Sequence, residues 1–153
     1  MAEAPFDLNQ AHRWFGVEFN NQAWQLVEAA HRSAEEVARM VHMAHASTLH
    51  WLQVGTAINH LRGQCLLATA YAIAGHGDAA VRHANECLAL SEKTKSDLTP
   101  FDRATVHGCA AQAYSCAGRQ EEARTHHSVA LEAANALEHP SEKKLFEQLY
   151  SAL

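Results

Sequence analysis

A chain of 153 residues with 12 Lys and Arg, 17 Asp and Glu and a formal net charge of −5 has the size of one domain. That charge argues against nucleic acid as its main partner. Apolar content of 48% with only 3 Pro and 7 Gly fits an all-helical globular fold. The longest weakly polar run, Cys65–Gly75, is too short to span a bilayer. The opening MAEAPFDLNQ carries acidic residues and no apolar core, so no secretion signal is expected. Four Cys (65, 87, 109 and 116) without C-x-x-C spacing point to a reduced, cytoplasmic compartment. Histidine is over-represented: protonating all 12 takes the formal charge from −5 to +7.

Asp7 caps a predicted helix from about Leu8 to Ala30, whose Ala11, Phe15, Phe19, Ala23, Leu26 and Ala30 recur at helical spacing. Trp14, Val17 and Trp24 widen that stripe. Ser33 with Glu36 makes a capping box for a second helix, to about Gln53. Its Val37, Val41, Ala44, Thr48 and Leu52 line one face and its Glu35, Arg39, His42, Ala46, His50 and Gln53 the other. Gly55-Thr56 breaks the pattern. A third helix runs to Ala74, and a fourth, capped by Asp78, runs to about Ser91. The polar EKTKSDLT reads as a loop, after which Thr99 caps a fifth helix with Pro100 at its first position. That helix ends at Gly118, a sixth runs from Gln120 to about Leu137, and Ser141 opens a seventh. Leu145, Phe146, Leu149, Tyr150 and Leu153 of the seventh are expected to pack inward.

Two stretches repeat at an offset of 43 residues. Tyr71 aligns with Tyr114, Gly75 with Gly118, Ala80 with Ala123 and His83 with His126. In each copy a small residue precedes the Tyr by three and a Gly follows it by four, and small residues follow at nine and sixteen. Small residues let paired helices approach, the Tyr fills the gap, and the Gly ends the first helix in a left-handed conformation. The set Ala68, Tyr71, Gly75, Ala80, Cys87, then Ala111, Tyr114, Gly118, Ala123, Ala130 resembles the tetratricopeptide repeat. It departs in its period, 43 rather than about 34, and in having Gln64 and His107 where the family places an aromatic. The resemblance implies an all-α superhelix of antiparallel hairpins in one domain, residues 1–153. The expected division is a degenerate first repeat (8–53), a second (56–92), a third (100–138) and a capping helix (141–153). The offset places Glu28 at the first repeat's Tyr position and Val37 at its Ala position.

Several constellations bear on function. His42 and His45 stand at i, i+3, a spacing that can chelate a divalent ion, yet neither H-E-x-x-H nor H-x-x-E-H occurs and no metal or cofactor is expected. Only Glu28-Ala-Ala-His31 fits the Glu-x-x-His pattern that a carboxylate-bridged dimetal bundle needs twice. Cys109 and Cys116 share a helix face, with Cys65 near Cys109 on the adjacent hairpin; the expected role of these thiols is packing. A polar group of His50, Asn59 and Arg62 beside Trp51 is of more interest. It offers a small pocket in which Arg62 reads a carboxylate or phosphate, or else an internal Arg–Glu pair with Glu18 that fixes the first helix on the third.

The groove positions (Arg62, Cys65, Thr69, Ala72, Ile73, then Thr105, Gly108, Gln112, Ser115) are small and mostly uncharged. They lack the Lys and Asn of family members that clamp a C-terminal carboxylate, and they suit an apolar helix, the chain's own terminal helix or a second copy. The expected function is a non-enzymatic protein–protein interaction module. It takes a peptide, a partner domain or a second copy in a groove bordered by Glu18, Asn21, His45, His50, Trp51, Asn59, Arg62 and Thr69. Trp14, Trp24 and Trp51 are read as either core or an anchor patch. The competing reading is a small-molecule or metal-responsive sensor built on His42, His45, His50, Asn59 and Arg62. Convergence of His45, Asn59 and Arg62 on one cavity separates the two.

Overall fold

The computed structural model describes residues 4–151. Among them are seven α-helices and no strand: α1 (Leu8–Glu28), α2 (Ala34–Val54), α3 (Ala57–Ile73), α4 (Gly77–Lys93), α5 (Pro100–Cys116), α6 (Gln120–Asn135) and α7 (Pro140–Tyr150). The local signals account for most boundaries. The Asp7 carboxylate accepts from the Gln10 amide at 3.0 Å. Ser33 and Glu36 exchange both bonds of a capping box, as do Thr99 and Asp102 ahead of α5. Asn59 Oδ1 accepts from both the amide and the hydroxyl of Thr56 at the start of α3. Several boundaries differ from expectation, α4 ending at Lys93 and α6 at Asn135 among them. Helix α1 stops at Glu28 because Ala29 is extended. Helix α4 begins at Gly77 after His76, with no side-chain cap, so Asp78 lies inside the first turn, where it complements the helix dipole. Helix α7 begins at Pro140 after His139, one residue before Ser141.

The 43-residue offset recurs in three dimensions. Gly75 and Gly118 have φ of +76° and +75°, the only positive values among the described residues. Beyond each, the same bonds close the helix end: His76 N–H to Tyr71 O and Arg119 N–H to Tyr114 O, both at 2.9 Å, with Gly75 N–H to Ala72 O and Gly118 N–H to Ser115 O inside them. Tyr71 stacks on His83 at 5.5 Å between centroids and 5° between planes, and Tyr114 on His126 at 5.3 Å and 4°. Gln64 and His107, standing where an aromatic was the pattern, hydrogen-bond the repeat histidines: Gln64 Oε1 to His83 Nδ1 at 2.7 Å and His107 Nδ1 to His126 Nδ1 at 3.0 Å. The first hairpin turns by another device. The Arg32 guanidinium donates to the carbonyls of Leu26 and Val27, at 2.8 and 3.1 Å, and so satisfies the end of α1 without a left-handed glycine.

Helices pair as α1 with α2, α3 with α4 and α5 with α6, and α3 also touches α1, α2 and α5. Two apolar clusters follow. One joins Ala23, Val27, Met40 and Ala44 to Leu66, Leu67 and Ala70, and the other runs from Leu61 through α4 and α5 to Phe146 and Tyr150. Close approach depends on glycine at Gly77, where a Cβ would lie 2.7 Å from Ala117 Cα, and at Gly108, where it would lie 2.7 Å from the Tyr150 ring. Phe146 and Tyr150 are wholly buried, each contributing about 2–3 kcal/mol by area removed from water, and Leu145 and Leu149 are half-buried. Leu153 lies outside the described residues. The expected stripes fail in one place. The first half of α1 and the end of α2 leave Trp14 59%, Phe15 38% and Leu52 55% exposed.

Candidate functional site

Helix α7 lies in the groove between α3 and α5. Tyr150 Oη stands 3.3 Å from Thr69 Oγ1, the Tyr150 ring covers Gly108, and Gln112 Nε2 donates to Leu149 O. Thr69 is therefore covered by the chain's own terminal helix. What stays open is a cavity of about 350 Å³ between α1, α3, α5 and α7, walled by Trp24, Leu61, Phe101, Leu145 and Leu149, with Arg62 and Asp102 on its lining. A second cavity of about 140 Å³ lies on the other side of Arg62, lined by Asn20, Ser47, Trp51 and Asn59.

Arg62 meets Asp102 in a two-pronged ion pair, Nε to Oδ1 at 2.8 Å and Nη2 to Oδ2 at 2.9 Å. The expected partner Glu18 is not the one chosen. Glu18 accepts from Gln22 one turn along α1, and Asn21 accepts from Asn20. The pair therefore ties α3 to α5 rather than α3 to α1. Asp102 comes to Arg62 because its carboxylate also closes the Thr99 capping box, which fixes it in the first turn of α5. Burial works to raise the Asp102 carboxyl, but Arg62 and Thr99 together hold it below the ordinary carboxylate value. Arg62 is held above its own ordinary value by the Asp102 carboxylate, against burial. Nothing in the sequence marks Asp102 as the partner of Arg62.

The remaining predicted residues do not converge. His45 Nε2 bonds Tyr71 Oη at 2.8 Å and its ring lies edge-on to His83, away from Arg62. His50 Nδ1 faces His12 Nδ1 at 2.8 Å. Trp51 packs over Gly16 and shares the smaller cavity with Asn59 and Arg62. Asn59 and Arg62 thus meet, and His45 and His50 stay apart from them. His42 is exposed.

Two features were not fully assembled from the sequence, which placed Cys65 near Cys109 but left out Cys87. His50 forms a ring cluster with Phe15 and Phe19, at 5.4 and 6.1 Å, and Trp14 meets Phe15 edge-on at 5.0 Å. The cluster lies on the outer side of the first hairpin, with Leu8 two turns before Phe15 also 54% exposed. The second is a thiol trio. Cys65, Cys87 and Cys109, from three successive helices, bring their sulfurs within 4.8 Å of one another, all buried. Cys116, which shares a face with Cys109 by spacing, is exposed and stands outside the trio. Cys87 was read only as a small residue of the repeat.

No helix among the described residues is long and apolar enough to cross a membrane. Comparison with known protein families, with curated proteins and with solved structures finds no match to this chain.

Proposed function

We propose that this protein is a non-enzymatic interaction module of tetratricopeptide-like hairpins that pairs with a second copy of itself. The pairing surface is the aromatic face of the first hairpin. The observation carrying this reading is the ring cluster of Trp14, Phe15, Phe19 and His50 at one end of the stack, in which Trp14 and Phe15 are exposed and Phe19 and His50 half-buried. Exposed clusters of this kind are the usual anchors of protein interfaces. The two ends of the stack differ: α7 covers the groove at one end with Phe146 and Tyr150, while the first hairpin keeps its aromatics in water. A predominantly apolar face flanked by one cation, Arg13, and one anion, Glu18, can meet a second copy of itself, as a two-fold dimer requires.

The identical glycine turns and Tyr–His stacks of the second and third hairpins support the tetratricopeptide resemblance for that half of the chain. The groove in which such repeats commonly take peptides is filled here by α7, so the docking surface moves from the groove to the first hairpin. The separation of His45 and His50 from Arg62 weighs against the sensor reading. We place the module in the cytoplasm on the strength of its free, buried thiols. The test is the solution mass of the protein against that of a Trp14→Glu, Phe15→Glu variant, with helicity checked by circular dichroism. A dimer that becomes a folded monomer supports the reading.

A further inference from the structure

Cys65 on α3, Cys87 on α4 and Cys109 on α5 meet where three helices cross, and the repeat itself shows that packing does not call for sulfur there. At the offset of 43 residues, Cys65 corresponds to Gly108, Cys87 to Ala130 and Cys109 to Leu66. Each of the three positions thus has a counterpart in the neighbouring hairpin that carries no sulfur. The sulfurs lie within 4.8 Å of one another, which puts each no more than about 3 Å from their common centre. A metal–thiolate bond is about 2.3 Å. Inward side-chain adjustments of well under about 1 Å therefore close a three-coordinate site, a scale that rotamer relaxation supplies. Each thiol now donates only weakly, to the carbonyls of Thr105, Leu61 and Val106 at 3.7, 3.5 and 3.2 Å. No His, Asp or Glu among the described residues completes a fourth position, so the tetrahedral set that zinc prefers is absent.

We propose that Cys65, Cys87 and Cys109 form a three-thiolate site for a trivalent thiophilic metalloid, the class of arsenous acid, reached through the cavity that Cys65 lines. Charge selects this class. Three thiolates around Cu⁺ carry −2 and around Zn²⁺ carry −1, and a buried net charge is costly without a counter-ion. Arg62, which lines the same cavity as Cys65, is committed to Asp102, and the Asp102 carboxylate adds a negative field at Cys65 and Cys87. A trivalent centre leaves the site neutral. The reaction balances without an oxidant or reductant. Three As–S bonds form and three As–O bonds of arsenous acid break. Each thiol proton leaves on a departing hydroxide as water. Cys65 acts first because it alone of the three lines the open cavity.

The test adds arsenite to the full-length, reduced protein and reads intact mass and arsenic X-ray absorption. The expected result is one arsenic per chain with loss of three hydrogens and three sulfur neighbours around the arsenic. Cys116→Ser should leave this unchanged, and Cys87→Ala should weaken retention at least about tenfold, since the third bond is intramolecular. Because the absorption spectrum of the unmutated protein counts sulfurs directly, a Cys87 variant that failed to fold would not blunt the test. No adduct, an adduct with two sulfurs, or an adduct lost in Cys116→Ser overturns the proposal. So does displacement of arsenic by equimolar Zn²⁺ or Cu⁺, which would show that charge does not select the ligand.

Discussion

The ring of Tyr150 sits where a side chain on residue 108 would have to go: a Cβ on Gly108 would lie 2.7 Å from Cγ and 2.8 Å from Cδ2 of Tyr150. The third hairpin and α7 are therefore a matched pair, with glycine on one side and a buried tyrosine on the other. Gly108→Val is expected to expel Tyr150 and cost about 3–5 kcal/mol, the scale of losing a buried aromatic. Limited proteolysis should then cut at Lys143 or Lys144 of α7 faster than in the parent. Unchanged melting and unchanged cleavage would mean that α7 does not hold this groove.

Arg62 and Asp102 join α3 to α5. Arg62→Ala leaves a carboxylate that is 5% exposed with only Thr99 to satisfy it. Because the Arg62 side chain is itself 51% exposed, the expected loss is about 1–3 kcal/mol rather than that of a fully buried pair. The folded carboxyl lies below its ordinary value of 3.8. Its contribution is therefore complete above that value and disappears as pH falls through the lower folded value. Urea titrations of parent and Arg62→Ala should converge at low pH.

Histidine gives a second pH dependence, at a higher window. Burial lowers His83 to about 4, with Arg82 and His45 adding to the effect. Its Nδ1 is bonded to Gln64, the Tyr71 ring covers one face, and its Nε2 is buried without a partner among the described residues. A second ring proton would have no acceptor. Burial also lowers His45, His50, His107 and His126; His42 and Arg82 act on His45, His12 on His50, His126 on His107, and Glu122 opposes at His126. In each case the unfolded chain takes its proton first, near 6.5. Stability is full above that value and falls as pH drops from 6.5 toward 4. The melting temperature should fall by about 5–10 °C between pH 7 and 5, and His83→Gln with His126→Gln should flatten the slope. A flat profile in the parent would contradict the stacked, neutral assignment.

Gly118 has φ of +75° and open space where a Cβ would stand, so a substitution there meets backbone strain alone. Gly118→Val should cost more than the roughly 1 kcal/mol difference between Gly and Ala in a helix. Ala123, 4% exposed in the facing helix, is limited by space instead, and Ala123→Leu should cost about 1–3 kcal/mol. Differential scanning calorimetry separates the two. Neutral behaviour at both positions would undo the repeat alignment.

Much of the fold is legible in the sequence because its signals are local. Asp7, Ser33, Thr99 and Pro100 mark helix starts through bonds spanning three residues, and Gly75 and Gly118 mark ends through their own backbone. What is not legible depends on partners distant in the chain. Arg62 had an acidic candidate in Glu18 by helix geometry, and nothing short of the packing distinguishes it from Asp102, 40 residues on. Phe15 and Leu52 continue apolar stripes most of whose other members are buried or half-buried. A periodic stripe shows which face is apolar, not whether a neighbour covers it. The thiol trio is hidden for the same reason: Cys87 fits a small-residue position so well that its sulfur calls for no further account.

The central claim is that the aromatic face of the first hairpin joins two copies. Light scattering on the eluting protein over a concentration series tests it most directly. The account predicts a mass twice that of the 16.8 kDa chain, reduced to one chain in the folded Trp14→Glu, Phe15→Glu variant. A parent protein that runs as a monomer at every concentration would contradict it.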